Sequence, residues 1–183
     1  MNNEELLRYP IGKLTHQQFT GKEPYDEKIK EFHLRDIGNL PLLLEYSVQN
    51  LDAGQLEIPY RPGGWTIQQV IHHMPDSHMN AYMRFKLALT EEMPTIKPYE
   101  EGAWANLSDT KNVPINVSLT LLHALHTRWV ELMGNMMEDD WQKKLIHPQH
   151  NKEITLWSML ATYSWHGKHH LAHITSLRDR MGW

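Results

Sequence analysis

The stretch WHGKHHLAH, Trp165 to His173, holds four histidines in eight residues. Neutral imidazole binds divalent metals, and it exchanges a proton near neutral pH. A helix turns about 100° per residue, so His166 and His170 stand about 40° apart, one turn along the axis. His169 and His173 are related in the same way. Either i,i+4 pair can chelate one ion. Two imidazoles do not complete a catalytic zinc site, which generally takes three protein ligands and keeps one position open. The stretch VIHHMPDSHMN offers His72, His73 and His78 as the third. Val70 and Met74 flank the direction in which His73 points, so His73 can face an apolar interior, with His72 rotated about 100° away. Asp76, one turn after His73, can orient that ring or accept a proton. Asn80 and Arg84 continue the same face and can hold an anionic group of a substrate, since the arginine fork matches a carboxylate.

Simpler readings stand beside these. A solitary histidine is ordinarily part-exposed or held by one hydrogen bond, and that reading applies to His16, His33, His147 and His150. His123 and His126 read as surface residues. The WHGKHHLAH stripe alone suits a solvated face as well as a metal. The second histidine cluster, on another amphipathic segment, favours the metal. Asp76 can equally be a solvent-facing carboxylate, and Arg84 a surface ion-pair partner. Trp65 and Trp165 are expected to pack as core or as walls of the site.

Helices must position these residues. Residues 1–24 are polar, with Pro10, Gly12, Gly21 and Pro24, and read as an irregular arm packed on the body or on a partner. From about Tyr25 to Leu51, a stripe of Ile29, Phe32, Ile37, Leu40, Leu44 and Leu51 predicts a helix. Pro41 predicts a kink or break in it. After the turn-rich EIPYRPGGW, Thr66 and Gln69 fit a capping box. Ile67, Ile71, Met74, Ala81 and Phe85 then predict a helix to about Leu89. Residues 91–117 read as a long connection with room for short helical turns. A third helix is expected from about Ser118 to Met136. DDWQKKLIHPQHNKEI breaks the pattern, and Thr155 opens a last helix to about Arg180. The expected architecture is all-α, a four-helix bundle formed as one domain over residues 1–183.

Composition narrows the chemistry. The chain has 183 residues, thirteen histidines, no cysteine and a formal charge of −4. Disulfides, thiolate metal sites and cysteine nucleophiles are excluded within it, and any thiol must come from outside. There is no long basic run, which argues against nucleic acid as the main partner. No apolar run approaches membrane-spanning length. MNNEELLRYP lacks the blocks of a signal peptide, so a cytoplasmic location is expected. Neither a glycine-rich phosphate loop nor a GxSxG elbow occurs.

PYRPGGWTIQQVIHHMPDSHMNAYMRFKLALTEE, IKPYEEGAW, WHGKHHLAHITSLRDRMGW and the opening RYPIG together resemble the YfiT group of the DinB/YfiT-like superfamily. The resemblance runs over nearly the whole chain. It implies a four-helix bundle with one divalent metal, zinc or nickel, held by one histidine of the second helix and two of the last. On this sequence those are His73, His166 and His170, which leaves His169 and His173 as neighbours. It also implies a homodimer. Pro75 departs from the group's pattern, where a small alanine-like residue stands. Proline inside a helix removes one hydrogen bond and crowds the carbonyl four residues back, here that of Ile71, so a local distortion beside His73 is expected.

Three neutral imidazoles leave the full charge on a bound zinc, which activates water for hydrolysis or binds a soft thiolate. The resemblance therefore implies a metal-dependent hydrolase. The alternative is an S-transferase in which a low-molecular-weight thiol, of the bacillithiol kind, attacks an electrophile. A structural metal in a non-enzymatic bundle is a third reading, favoured by a fourth ligand such as His169 or His78. A metal-free helical interaction protein is a fourth.

Overall fold

The structure is a computed structural model that describes residues 3–15, 18–149 and 152–183. His16 and His150 lie outside the described residues. The elements follow in chain order as α1 (Asn3–Arg8), α2 (Glu27–Ser47), α3 (Ala53–Leu56), α4 (Ile67–Thr90), α5 (Glu101–Trp104), α6 (Ser108–Asn112) and α7 (Ile115–Gly134). A 3₁₀ turn (Glu138–Gln142), β1 (Lys144–His147), β2 (Lys152–Thr155) and α8 (Leu156–Met181) complete them. Helices α2, α4, α7 and α8 form a four-helix bundle.

Each functional helix begins where its sequence says. The Gln69 amide N–H donates to Thr66 Oγ1 at 3.1 Å, and the Thr66 N–H donates to Gln69 Oε1 at 3.0 Å. That is the reciprocal capping box expected at the start of α4. In α8 the Ser158 N–H donates to Thr155 Oγ1 at 3.1 Å. The predicted stripe of α4 is buried throughout, at Ile67, Ile71, Met74, Ala81 and Phe85. In α2 the stripe is only partly right, because Phe32 is 52% exposed.

The core has two apolar clusters. One gathers Leu34 and Ile37 of α2, Ala81 and Phe85 of α4, Trp129 and Met133 of α7, and Leu156 and Leu160 of α8. The other gathers Leu40 and Leu44, Val70 and Ile71, Leu119 and Leu122, and Ile174 and Leu177. Residue order along each helix fixes its direction. Helices α2 and α8 run from the first cluster to the second, and α4 and α7 run from the second to the first. Consecutive bundle helices α4 and α7 are thus parallel, and the chain must travel back the length of the bundle between them. This accounts for the long connection after α4, which carries α5 and α6.

Two expectations need correction. The region after α7 is not only irregular: β1 and β2 pair antiparallel, with Leu145 opposite Ile154 and Ile146 opposite Glu153. Leu145 is buried in the first cluster, and the Ile146 N–H donates to the Pro94 carbonyl at 2.9 Å, which pins the hairpin to the loop after α4. Four-residue strands are too short to leave a clear alternation in the sequence. The break offered at Pro41 does not occur: α2 runs unbroken through it, and α4 likewise continues past Pro75. Both prolines are buried, and the Ile37 carbonyl that Pro41 leaves without its helix donor lies 2.6 Å from His126 Nδ1.

The arm packs on this chain's own body. Trp157 Nε1 donates to the Glu23 carbonyl at 2.9 Å, and Phe19 meets the Trp157 ring edge-on at 4.7 Å. Gly21 has φ +74°, and a Cβ there would stand 2.2 Å from the Ser158 Cα. Only glycine permits both that backbone conformation and that approach.

Candidate metal centre

Between the two apolar clusters lies a layer of histidines. It includes His73 and His78 of α4, His126 of α7, and His166, His170 and His173 of α8. His73, His166 and His170 each bring one ring nitrogen into a group whose members lie within 4.8 Å of one another. Among the described residues that group holds these three ligands and no fourth. His73 Nε2 stands 3.4 Å from His166 Nε2. Two nitrogens each about 2.0–2.1 Å from a tetrahedral zinc stand about 3.4 Å apart, so the spacing fits a shared ion.

Burial keeps these rings neutral, as metal ligation requires. It pulls His73 down to about 4 and holds His166 and His170 well below the ordinary histidine value, with neighbouring histidines adding to the effect. The ligand helix is anchored on its other face. Lys168 Nζ donates to Asp36 Oδ2 at 2.6 Å, and Ser164 Oγ donates to the same oxygen at 2.9 Å. Gly167 lies against Leu40, whose Cδ2 would be 2.4 Å from an added Cβ. These contacts with α2 turn His166 and His170 towards α4.

The three rings open on a cavity of about 620 Å³. Its walls carry Arg8, Arg61 and Arg84, against one carboxylate, Glu101. Tyr99 and Tyr163 add phenols that burial keeps protonated, with Tyr99 pushed up to about 12. Arg84 Nη1 donates to Tyr163 Oη at 3.4 Å. Trp65 forms a wall, its ring 4.6 Å from that of His73. Trp165 instead stacks on His169 at 4.5 Å, outside the ligand group.

The other residues singled out from the sequence fall in several places. Arg84 reaches the cavity. Asn80 does not line it, and its Nδ2 donates back to the Asp76 carbonyl at 2.9 Å. Asp76 is also absent from the cavity wall. Its carboxyl is raised to about 6 by burial and then by the charge of Asp109. His123 is half-buried at the surface beside Glu45, its Nε2 3.2 Å from Glu45 Oε2, as expected of a surface residue. His126 is not a surface residue, being 1% exposed within the histidine layer. His33 bonds Ser164 Oγ through Nδ1 at 2.8 Å. His147 lines the cavity although it reads as a solitary histidine. Arg61, Tyr99, Glu101 and Tyr163 were not singled out: the first three come from loops and a helix start whose approach to α8 leaves no periodic signal, and Tyr163, within α8, reads as an ordinary core aromatic.

The profile of the DinB superfamily matches residues 41–174, a span that contains all three histidines. The chain belongs to the DinB superfamily. It is 50% identical over 177 residues to a Bacillus cereus protein named "Putative metal-dependent hydrolase", covering 97% of this chain and 98% of that one. The same values and the same name hold for a Bacillus anthracis protein. Among solved structures it is similar to YfiT from Bacillus subtilis, described as a probable metal-dependent hydrolase with an unusual four-helix bundle topology. That match has a TM-score of 0.92 and 43% identity, and it covers 97% of this chain and 99% of the other.

Proposed function

We propose that this protein is a metal-dependent enzyme in which His73, His166 and His170 hold one divalent ion, zinc in the first instance, at the floor of the cavity, and that it catalyses hydrolysis. The observation that carries the reading is the convergence of three neutral imidazoles with no fourth protein ligand among the described residues, facing a cavity. A structural zinc site is ordinarily closed by four protein ligands, and a catalytic one keeps a position free. His78 and His169, considered as a fourth ligand, are not in the group. The names borne by the relatives support the hydrolase class. When bound, the ion supplies Lewis acidity that activates water or an external thiol. The chain's own residues orient the reactants: Arg84 and Arg61 hold an anionic group, the phenols of Tyr99 and Tyr163 donate hydrogen bonds, and Trp65 shields the histidines from bulk water.

A second reading is S-transfer from a low-molecular-weight thiol. It is favoured by the three arginines of the cavity against a single carboxylate, which suit a thiol that carries carboxylates. The deciding experiment uses protein purified without nickel resin and loaded with zinc. It is assayed on ester and amide substrates, and in parallel on a chromogenic electrophile with a panel of thiols. Zinc-dependent ester or amide hydrolysis supports the first reading. Zinc-dependent conjugation without hydrolysis replaces it with the second. Failure to bind zinc removes both.

A further inference from the structure

The histidine layer holds more imidazoles than a three-ligand site uses, and the surplus ones form chains of contacts. His126 Nδ1 lies 2.6 Å from the Ile37 carbonyl oxygen, which can only accept, so His126 carries its proton on Nδ1. His126 is buried and held down to about 4, hence neutral, and its Nε2 is therefore an acceptor. His78 Nδ1 stands 2.8 Å from that Nε2 and must donate to it. His78 Nε2 is in turn an acceptor, 3.2 Å from His166 Nδ1, which donates. The lone pair of His166 is thereby left on Nε2, the atom that faces His73.

A shorter chain reaches the other ligand of α8. His173 Nε2 lies 3.1 Å from the Arg8 carbonyl oxygen and donates to it. His173 Nδ1 is then an acceptor, 3.4 Å from His170 Nδ1. His170 must donate from Nδ1, which again frees Nε2. Tyr60 stacks on the His173 ring at 3.8 Å and fixes its plane.

We propose that two histidine relays, each anchored on a backbone carbonyl, fix the tautomers of two metal-binding histidines: Ile37 through His126 and His78 acts on His166, and Arg8 through His173 acts on His170. The inference rests on the metal-site reading. His78, His126 and His173 are positioning residues, and they keep a lone pair on the ligand nitrogen before any ion arrives. Hydrogen bonds to the far nitrogen of a ligating histidine commonly change metal affinity by about 10–100-fold.

The test joins zinc affinity to a spectroscopic readout. His78→Leu and His173→Leu are each expected to weaken zinc binding about 10–100-fold in a competition titration against a chromophoric chelator. His78→Gln is expected to stay within a few-fold of the wild type, because its amide oxygen accepts from His166 and its amide nitrogen donates to His126. Equal affinity of His78→Leu and wild type overturns the proposal. So does a His78→Gln as weak as His78→Leu, which would mean that ring packing, not the relay, is what matters. Long-range ¹H–¹⁵N spectra of the metal-free wild type decide the matter if a variant does not fold. They should show the Nδ1–H form at His78, His126, His166 and His170, and the Nε2–H form at His173. An Nε2–H form at His166 or His170 overturns the proposal. A wild type that takes no zinc sinks the metal reading, and the tautomer spectrum still judges the relays.

Discussion

At the scale of single residues, the proposed site requires His73 and His170 as free bases, and both are buried. Replacing either leaves two imidazoles, which do not make a strong zinc site. His73→Ala and His170→Ala should each drop zinc content from about one ion per chain to a small fraction of that, as read by mass spectrometry of the loaded, desalted protein. Retention of a full equivalent in either variant would remove that residue from the ligand set. Spacing left two i,i+4 pairs open on α8 and three histidines on α4, and only the family resemblance singled out the trio whose ring nitrogens the fold brings together. The sequence carried His126 badly. Pro41 marks the Ile37 carbonyl as one without its helix donor, but nothing in the sequence says that His126, on α7, is the group that reaches it.

At the scale of elements, α8 holds His166 and His170 towards α4 while it lies closely on α2. Gly167 allows the close approach. In Gly167→Ala the new methyl meets Leu40, itself only 2% exposed and without room to swing away. Overpacking costs about 1–3 kcal/mol, and the better helix propensity of alanine returns about 1 kcal/mol. A net destabilisation of about 1 kcal/mol is expected in urea unfolding, together with weaker zinc binding as His166 shifts. A variant more stable than the wild type would show that α2 and α8 have slack at this point. Capping at Thr66 and Thr155 and the apolar stripe of α4 were legible because they are local. The hairpin of β1 and β2 was not, because its four-residue strands are fixed by pairing with each other and with the loop after α4.

At the scale of the whole molecule, a layer of neutral histidines between two apolar clusters ties stability to pH. Unfolded histidines take up protons near pH 6.5, whereas folded His73, His126 and His173 refuse them until about 4. Across that window the unfolded chain binds more protons, so stability falls as pH falls. Each such group contributes a slope of up to about 1.4 kcal/mol per pH unit. Asp76, raised to about 6, acts in the opposite sense between about 6 and 4, but it is one group against several. Asp36, lowered to about 2, loses its stabilising contribution only below about 4. The urea midpoint of the metal-free protein should therefore fall steeply from pH 6.5 to 4. A midpoint that stayed flat from pH 7 to 5 would contradict the buried neutral layer.

The sequence by itself determined the bundle, the start of each functional helix and the histidine stripe on α8 with its two i,i+4 pairs, because helical periodicity and capping are read within a few residues. It also excluded an internal thiol. Only the tertiary structure decided which way the helices run, which histidines share the buried layer, and which arginines and tyrosines wall the cavity. Those depend on contacts between residues far apart in the chain, such as His78 with His126 and His173 with Arg8. Pro75 shows the same division. Proline chemistry, legible locally, takes one hydrogen bond from the turn at Ile71, while the tertiary structure buries Pro75 within a helix unbroken from Ile67 to Thr90.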